Sequence, residues 1–182
     1  MLLDELEFKI KIARKFLAAI PDFVPANAKQ KQTLEENTQG FLFFASGGIE
    51  IVKRRINDRF EIFNRNNVFY IHGLRKNLSD NGAQKRAKTA ISNYFSTPKQ
   101  INTRIDVDKS SLWRLQSLRN QAMHGNMINI DGKTLVFPYT IHQDKNTYCF
   151  VQKTRNPHRY FAQMLDNLEK FTARINTILQ SA

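Results

Sequence analysis

The chain has 182 residues, enough for one domain whose core closes without covalent staples, and its single cysteine, Cys149, has no partner for a disulfide within the chain. No apolar run approaches the roughly eighteen residues that span a bilayer, so a transmembrane protein is not expected. Lys plus Arg number 28 against 16 Asp plus Glu, a formal net charge of +12 with a pI near 10.0, which is the balance of a protein that meets a polyanion. The excess is densest in residues 81–120, which hold 8 basic and 2 acidic side chains.

The N-terminus mixes Asp4, Glu5 and Glu7 with Lys9, Lys11, Arg14 and Lys15, whereas a secretory leader has a basic start followed by an uninterrupted apolar stretch. It therefore reads as a helix, and the protein as cytoplasmic. Leu3, Leu6, Ile10, Phe16 and Leu17 fall near helical spacing and predict that helix over about 3–19, before Pro21. "PDFVPANAKQKQT", with two prolines, reads as a connector. From Leu34 to about Arg65 runs the longest helical candidate, with Leu42, Phe43, Ile49, Val52, Ile56, Phe60 and Phe63, able to form the spine of a bundle. "VFYIHG" is apolar and short, so periodicity does not separate strand from helix there, and "NLSDNG" is a turn cluster. A helix over about 84–96 ends before Pro98. Ser110 or Ser111 caps a further helix through about Met123, because a serine oxygen satisfies free N–H groups of the first turn, and Gly125 stops it.

The period then changes. "MINIDGKTLVFPYTI" alternates around Asp131-Gly132, a pair that tolerates positive φ, and "NTYCFVQK" offers another strand, so a β-hairpin or meander is expected within about 127–153. Cys149 there reads as a small buried hydrophobe. Tyr160, Phe161, Met164, Leu165, Leu168, Phe171, Ile175 and Leu179 form a helical stripe over about 157–180. The chain thus reads as mainly α with one β excursion.

Several chemistries lack their residues. His72, His124, His142 and His158 show no ligand spacing and there is no second cysteine, so neither a metal nor a cofactor is expected. Gly47-Gly48 lacks the Lys-Ser/Thr of a phosphate loop and reads as small residues for close helix packing. Asp106 and Asp108 read as solvated loop residues, and no nucleophile elbow occurs.

"LRNQAMHG", residues 118–125, is where chemistry concentrates. With Leu115 at zero and 100° per residue, Leu112 falls at about +60°, Leu118 at about −60° and Ala122 at about −20°, an apolar arc that also contains Arg119 at about +40°. A guanidinium there needs an acceptor or a cleft, and Glu50 is one possible partner. Trp113, Ser117, Asn120 and His124 share a second face, which suits packing on a ligand or a second subunit. A second Arg…His match, "RNNVFYIH" with Arg65, Asn66 and His72, has a β-branched and aromatic spacer that no predicted helix carries cleanly.

"SSLWRLQSLRNQAMHGN" resembles the signature helix of HEPN domains, whose motif is Arg, a polar residue often Asn, then His after four to six residues; here it is Arg119, Asn120 and His124. The resemblance implies an up-and-down bundle of four to five helices in a single domain, residues 1–182, with the β segment as an insertion before the last helix. It also implies a homodimer whose composite site joins two motifs, and the second face of the helix makes Trp113 and Ser117 the expected interface residues. Many members are metal-independent RNases acting as toxins or in antiviral defence, and others are non-catalytic. By that resemblance His124 exchanges protons with the ribose 2′-OH or the leaving 5′-oxygen, Arg119 stabilises the pentacovalent phosphate, and Asn120 orients His124 or contacts phosphate. These roles suit the residue types: imidazole titrates near neutrality and a guanidinium binds phosphate through two hydrogen bonds. One toxin subgroup has Tyr two residues after the His, where this chain has Asn126.

If RNA binds, Lys53, Arg54, Arg55, Lys85, Arg86, Lys88, Arg104 and Arg114 are the expected backbone contacts, and Trp113 and Tyr94 can stack on bases. The alternatives are a non-catalytic nucleic-acid- or nucleotide-binding module of the same fold, and a helical protein-interaction component of a toxin–antitoxin or defence complex.

Overall fold

A computed structural model describes residues 2–64, 70–96, 110–122, 129–143 and 146–182, with side chains outside the description for residues 2–3 and 141–150. The last group includes Cys149 and His142. Among the described residues there are six helices and one antiparallel sheet: α1 (Leu2–Ala18), α2 (Ala28–Phe60), α3 (Ile71–Asn77), α4 (Gly82–Tyr94), α5 (Ser111–Ala122), β1 (Asn129–Asp131), β2 (Thr134–Gln143), β3 (Asn146–Thr154) and α6 (Pro157–Gln180). The chain is mainly helical with a small sheet inserted before the last helix, as the residue pattern predicts. None of the described helices is long and apolar enough to cross a membrane.

The spine, α2, begins at Ala28, inside the expected connector, because Asn27 caps it. Asn27 Oδ1 accepts from the Gln30 N–H at 2.9 Å, and Gln30 Oε1 accepts from the Ala26 N–H at 2.8 Å. It ends at Phe60 rather than near Arg65. Glu61 turns left-handed at φ 50°, and the buried Asn57 side chain clamps the exit by bonding both the N–H and the carbonyl of Phe63. The ambiguous "VFYIHG" segment contributes its last residues to α3, which Ile71 and Leu74 anchor in the core.

Helix directions follow from the contacts. Gly40 lies against the Phe16 ring and Gly48 against Leu6, so α1 runs antiparallel to α2. Phe41 meets Phe161 at 5.4 Å and Arg55 reaches Asn176, so α6 runs parallel to α2. Tyr94 meets Phe171 and Arg86 reaches Ser181, so α4 runs against α6. A methyl group on Gly48 would sit at ordinary contact distance, 3.5 Å from Leu6 and 3.6 Å from Leu168, and one on Gly47 would lie 3.3 Å from the Lys9 side chain, whereas at Gly40 it would lie 2.4 Å from the Phe16 ring, so the closest approach of the helices is at Gly40.

In the sheet, order β1-β2-β3, Gly132 at φ 56° and Lys133 form the first turn between the paired Asp131 and Thr134. Leu135, Phe137 and Tyr139 are buried while Val136 and Pro138 are half-buried and Thr140 is exposed, the period-two burial of a strand with one face on a core. That face rests on the start of α6, where Phe137 stacks on Tyr160 at 4.7 Å, and on α5. The sheet thereby covers one flank of the motif helix.

Candidate functional site

Helix α5 has two differently used flanks. On the flank under the sheet and α6, Arg114 is 1% exposed. Its Nη1 donates to Gln152 Oε1 at 2.6 Å and to the Tyr160 hydroxyl at 3.5 Å, and its guanidinium lies 5.5 Å from the centre of the Tyr160 ring. The hydroxyls of Tyr139 and Tyr160 share a hydrogen bond, and Tyr160 also donates to Gln152 at 3.3 Å. Burial pushes both phenols above the ordinary tyrosine range, Tyr139 well above it, where Tyr160 adds to the effect; at Tyr160 the Arg114 charge opposes it. Arg114 is therefore not an exposed RNA contact as expected. Its side chain ties α5 to β3 and α6.

The other flank opens into a cleft of about 480 Å³ between α2, α3 and α5. Arg119, Asn120, Gln116, Ser117 and Trp113 line it from α5, Ser46, Gly47, Glu50 and Lys53 from α2, His72 from α3, and Lys9 from α1. The wheel separates Arg119 from Asn120, but both lie on this cleft, and Arg119 Nη1 donates to Asn120 Oδ1 at 3.2 Å. The buried arc extends to Arg114, at about −100°, because β2 and α6 cover that side; Arg119, at about +40°, stays within the arc by angle, and its long, half-buried side chain reaches the cleft.

The expected partner of Arg119, Glu50, is instead ion-paired to Lys53 at 2.6 Å; among the described residues no carboxylate pairs with Arg119. Lys53 is only 6% exposed, so it is part of the cleft wall rather than the free surface cation expected. Ser46 Oγ is buried in the same wall with no hydrogen-bond partner among the described residues. Trp113 is half-buried against Tyr139 of its own chain, with ring centres 5.8 Å apart. At the rim, Phe43 and Tyr70 are 53% and 77% exposed, and Lys9 Nζ lies 5.6 Å from the Phe43 ring centre.

His72 is the residue that sequence reasoning set aside and the fold brings in. Burial first, and the nearby charge of Arg75 second, hold its imidazole below the usual 6.5. Its signal was present only as the second Arg…His match, and nothing local distinguishes that match from chance. Of that match, Arg65 and Asn66 lie outside the described residues, as do His124, Met123, Gly125 and Asn126 of the motif segment, Asp106 and Asp108.

The remaining expected cations are dispersed. Arg54 and Lys85 are exposed, while Arg55 donates to Asn176 and is held below its ordinary value by burial. Lys88 is engaged with Asp80 at 2.8 Å and with the Leu78 carbonyl at 3.3 Å, and its hydrogen bond and charge draw the Asp80 carboxyl below the usual range. Arg86 joins Tyr94, Lys170 and Arg174 around a second groove, of about 470 Å³, between α4 and α6. Arg104 lies outside the described residues. Among the described residues no three His, Cys, Asp or Glu side chains converge to hold a metal ion. Comparison of the chain with protein-family models, with curated proteins and with solved structures gave no match.

Proposed function

We propose that the chain is a metal-independent endoribonuclease of HEPN type, cleaving RNA by attack of the 2′-OH on the adjacent phosphate, and that it works in the cytoplasm as a homodimer within a toxin or defence system. The observation that carries this reading is the pairing of Arg119 with Asn120 on a basic, open cleft. Arg119 is a permanently charged fork without a carboxylate partner among the described residues, which suits a phosphate whose charge grows in the transition state. Asn120 orients that fork. His124, four residues on, supplies proton transfer, and the exposed Phe43 and Tyr70 offer faces on which bases stack. A partner protein, such as an antitoxin, would act by covering this cleft.

Cleavage in the presence of EDTA tests the reading. The upstream fragment is expected to carry a 2′,3′-cyclic phosphate, and Arg119→Ala and His124→Ala are each expected to abolish the reaction with circular dichroism unchanged. Wild-type activity in either variant overturns the site assignment. The second groove, with Arg86, Lys170 and Arg174, favours one other reading, a non-catalytic nucleic-acid-binding module. That reading expects binding that falls steeply with salt and no cleavage by the wild-type chain.

A further inference from the structure

Transesterification of RNA moves two protons. One leaves the ribose 2′-OH as O2′ attacks phosphorus, and one reaches O5′ as the P–O5′ bond breaks. The motif offers a single imidazole for that task, His124, which lies outside the described residues. The cleft holds another: His72 lines the same wall system as Arg119 and Asn120 but comes from α3, far away in sequence. Its backbone is anchored, since the adjacent Ile71 and the Leu74 side chain are buried in the core. The ring itself is half-buried where it lines the cleft, and no described residue hydrogen-bonds it.

We infer that His72 is the general base that takes the 2′-OH proton, so that one chain supplies base, phosphate clamp and orienting amide to its own cleft. The inference rests on the ribonuclease reading above. The O2′–H proton passes to an imidazole nitrogen of His72, the O2′–P bond forms, the P–O5′ bond breaks, and O5′ takes the proton carried by His124. The products are a 2′,3′-cyclic phosphate and a 5′-hydroxyl, and proton exchange with solvent resets both rings.

The surroundings favour the neutral, proton-accepting ring. Arg75 on α3, Lys53 on α2, Arg119 on α5 and Lys9 on α1 are cationic, Tyr70 is a phenol, and Glu50, the one carboxylate among the described cleft-lining residues, is committed to Lys53. Burial acts in the same direction.

The test is steady-state cleavage of an oligoribonucleotide by the full chain in EDTA, followed across the acid limb. For His72→Gln the expected result is a kcat lower by about 10²–10⁴-fold with KM unchanged and the acid limb attributable to His72 gone. Added imidazole is expected to restore part of the rate of His72→Gly, which a merely structural role would not allow. Wild-type kcat and pH profile in His72→Gln, or no rescue of a folded His72→Gly, overturns the inference. If Arg119→Ala abolishes cleavage while His72→Gln does not, the general base alone is wrong; if wild-type protein does not cleave RNA at all, the ribonuclease reading falls and this inference with it. Should the variants fail to fold, the wild-type chain with a cleavage-resistant 2′-deoxy oligonucleotide decides: the His72 imidazole NMR resonance is expected to shift on binding, and an unmoved resonance counts against it.

Discussion

Arg114 and Arg119 stand on one helix within two turns of each other and have opposite surroundings. Arg114 is sealed beneath the sheet in a network with Gln152 and Tyr160, whereas Arg119 opens on the α2–α3–α5 cleft and bonds its neighbour Asn120. Both are guanidiniums with the same donors and the same permanent charge. What differs is the element covering each flank of α5. The sheet insertion covers one and supplies acceptors; the short helix α3 leaves the other concave. A guanidinium surrounded by fixed neutral acceptors is a structural tie, and one beside a cleft is available to an incoming phosphate.

That contrast can be broken by substitution. Arg119→Ala is expected to abolish detectable cleavage, a loss of at least about 10²–10³-fold in kcat from removing one transition-state donor, with the urea midpoint unchanged; Arg119→Lys should not restore it, because an ammonium lacks the planar fork. Arg114→Ala is expected to do the reverse, destabilising the chain by about 3 kcal/mol through lost packing and unsatisfied acceptors, while the folded fraction keeps wild-type kcat. If both variants lose activity at unchanged stability, the division of α5 into a structural and a chemical flank is wrong.

Tyr139→Phe sharpens the structural side. Removing one hydroxyl of the buried pair is expected to cost about 1–2 kcal/mol in urea unfolding near neutral pH. The pH dependence has a definite sign. Tyr139 and Tyr160 titrate above the usual 10.0 when folded, so their contribution is fully present below that value. As the pH rises beyond it the unfolded chain loses its phenolic protons first, and stability falls until the folded values are passed. Tyr139→Phe should therefore unfold less steeply at alkaline pH than the wild-type chain. The smallest effect is expected at an exposed cation outside the cleft: Lys85→Ala should weaken RNA binding slightly and reduce the magnitude of its logarithmic salt slope by about 0.9 at most, measured by filter binding.

Much of the architecture was legible because it rests on local rules. The stripe from Tyr160 to Leu179, with Asn156 accepting from the Arg159 N–H at 2.7 Å and Pro157 in the first turn, corresponds to α6 over Pro157–Gln180. The alternation beyond Gly125 corresponds to β1–β3, and the Asp131-Gly132 signal to a turn in which Gly132 takes the positive φ. The start of α2 was missed although its signal is local: Asn27 and Gln30 form the cap, but Pro21 and Pro25 drew the connector too far. The identity of α3 was not legible, since "VFYIHG" is as apolar as a strand and the helix over Ile71–Asn77 is stabilised by Ile71 and Leu74 reaching the core.

The site divides along the same line. Arg119 and Asn120 were found because a polar cluster on an otherwise amphipathic helix is visible in one dimension. Helical angles place Arg119 in the core-facing arc, and Arg114 is expected among the RNA contacts; the fold leaves Arg119 half-buried on a cleft and seals Arg114, because an angle says which residues share a face and not which face is covered. Lys53 and Glu50 pair along α2 at a spacing any helix permits, yet only packing puts that pair in the cleft wall.

The sequence by itself determined the helical class, the position of the inserted sheet, the strong positive charge and the motif residues, since periodicity, turn chemistry and composition act over a few neighbouring residues. Tertiary structure alone decided that Arg114 is buried under the sheet, that Arg119 faces a cleft and that His72 joins it. Burial and encounter between distant residues depend on which element lies against which, and that is a property of the whole chain's packing.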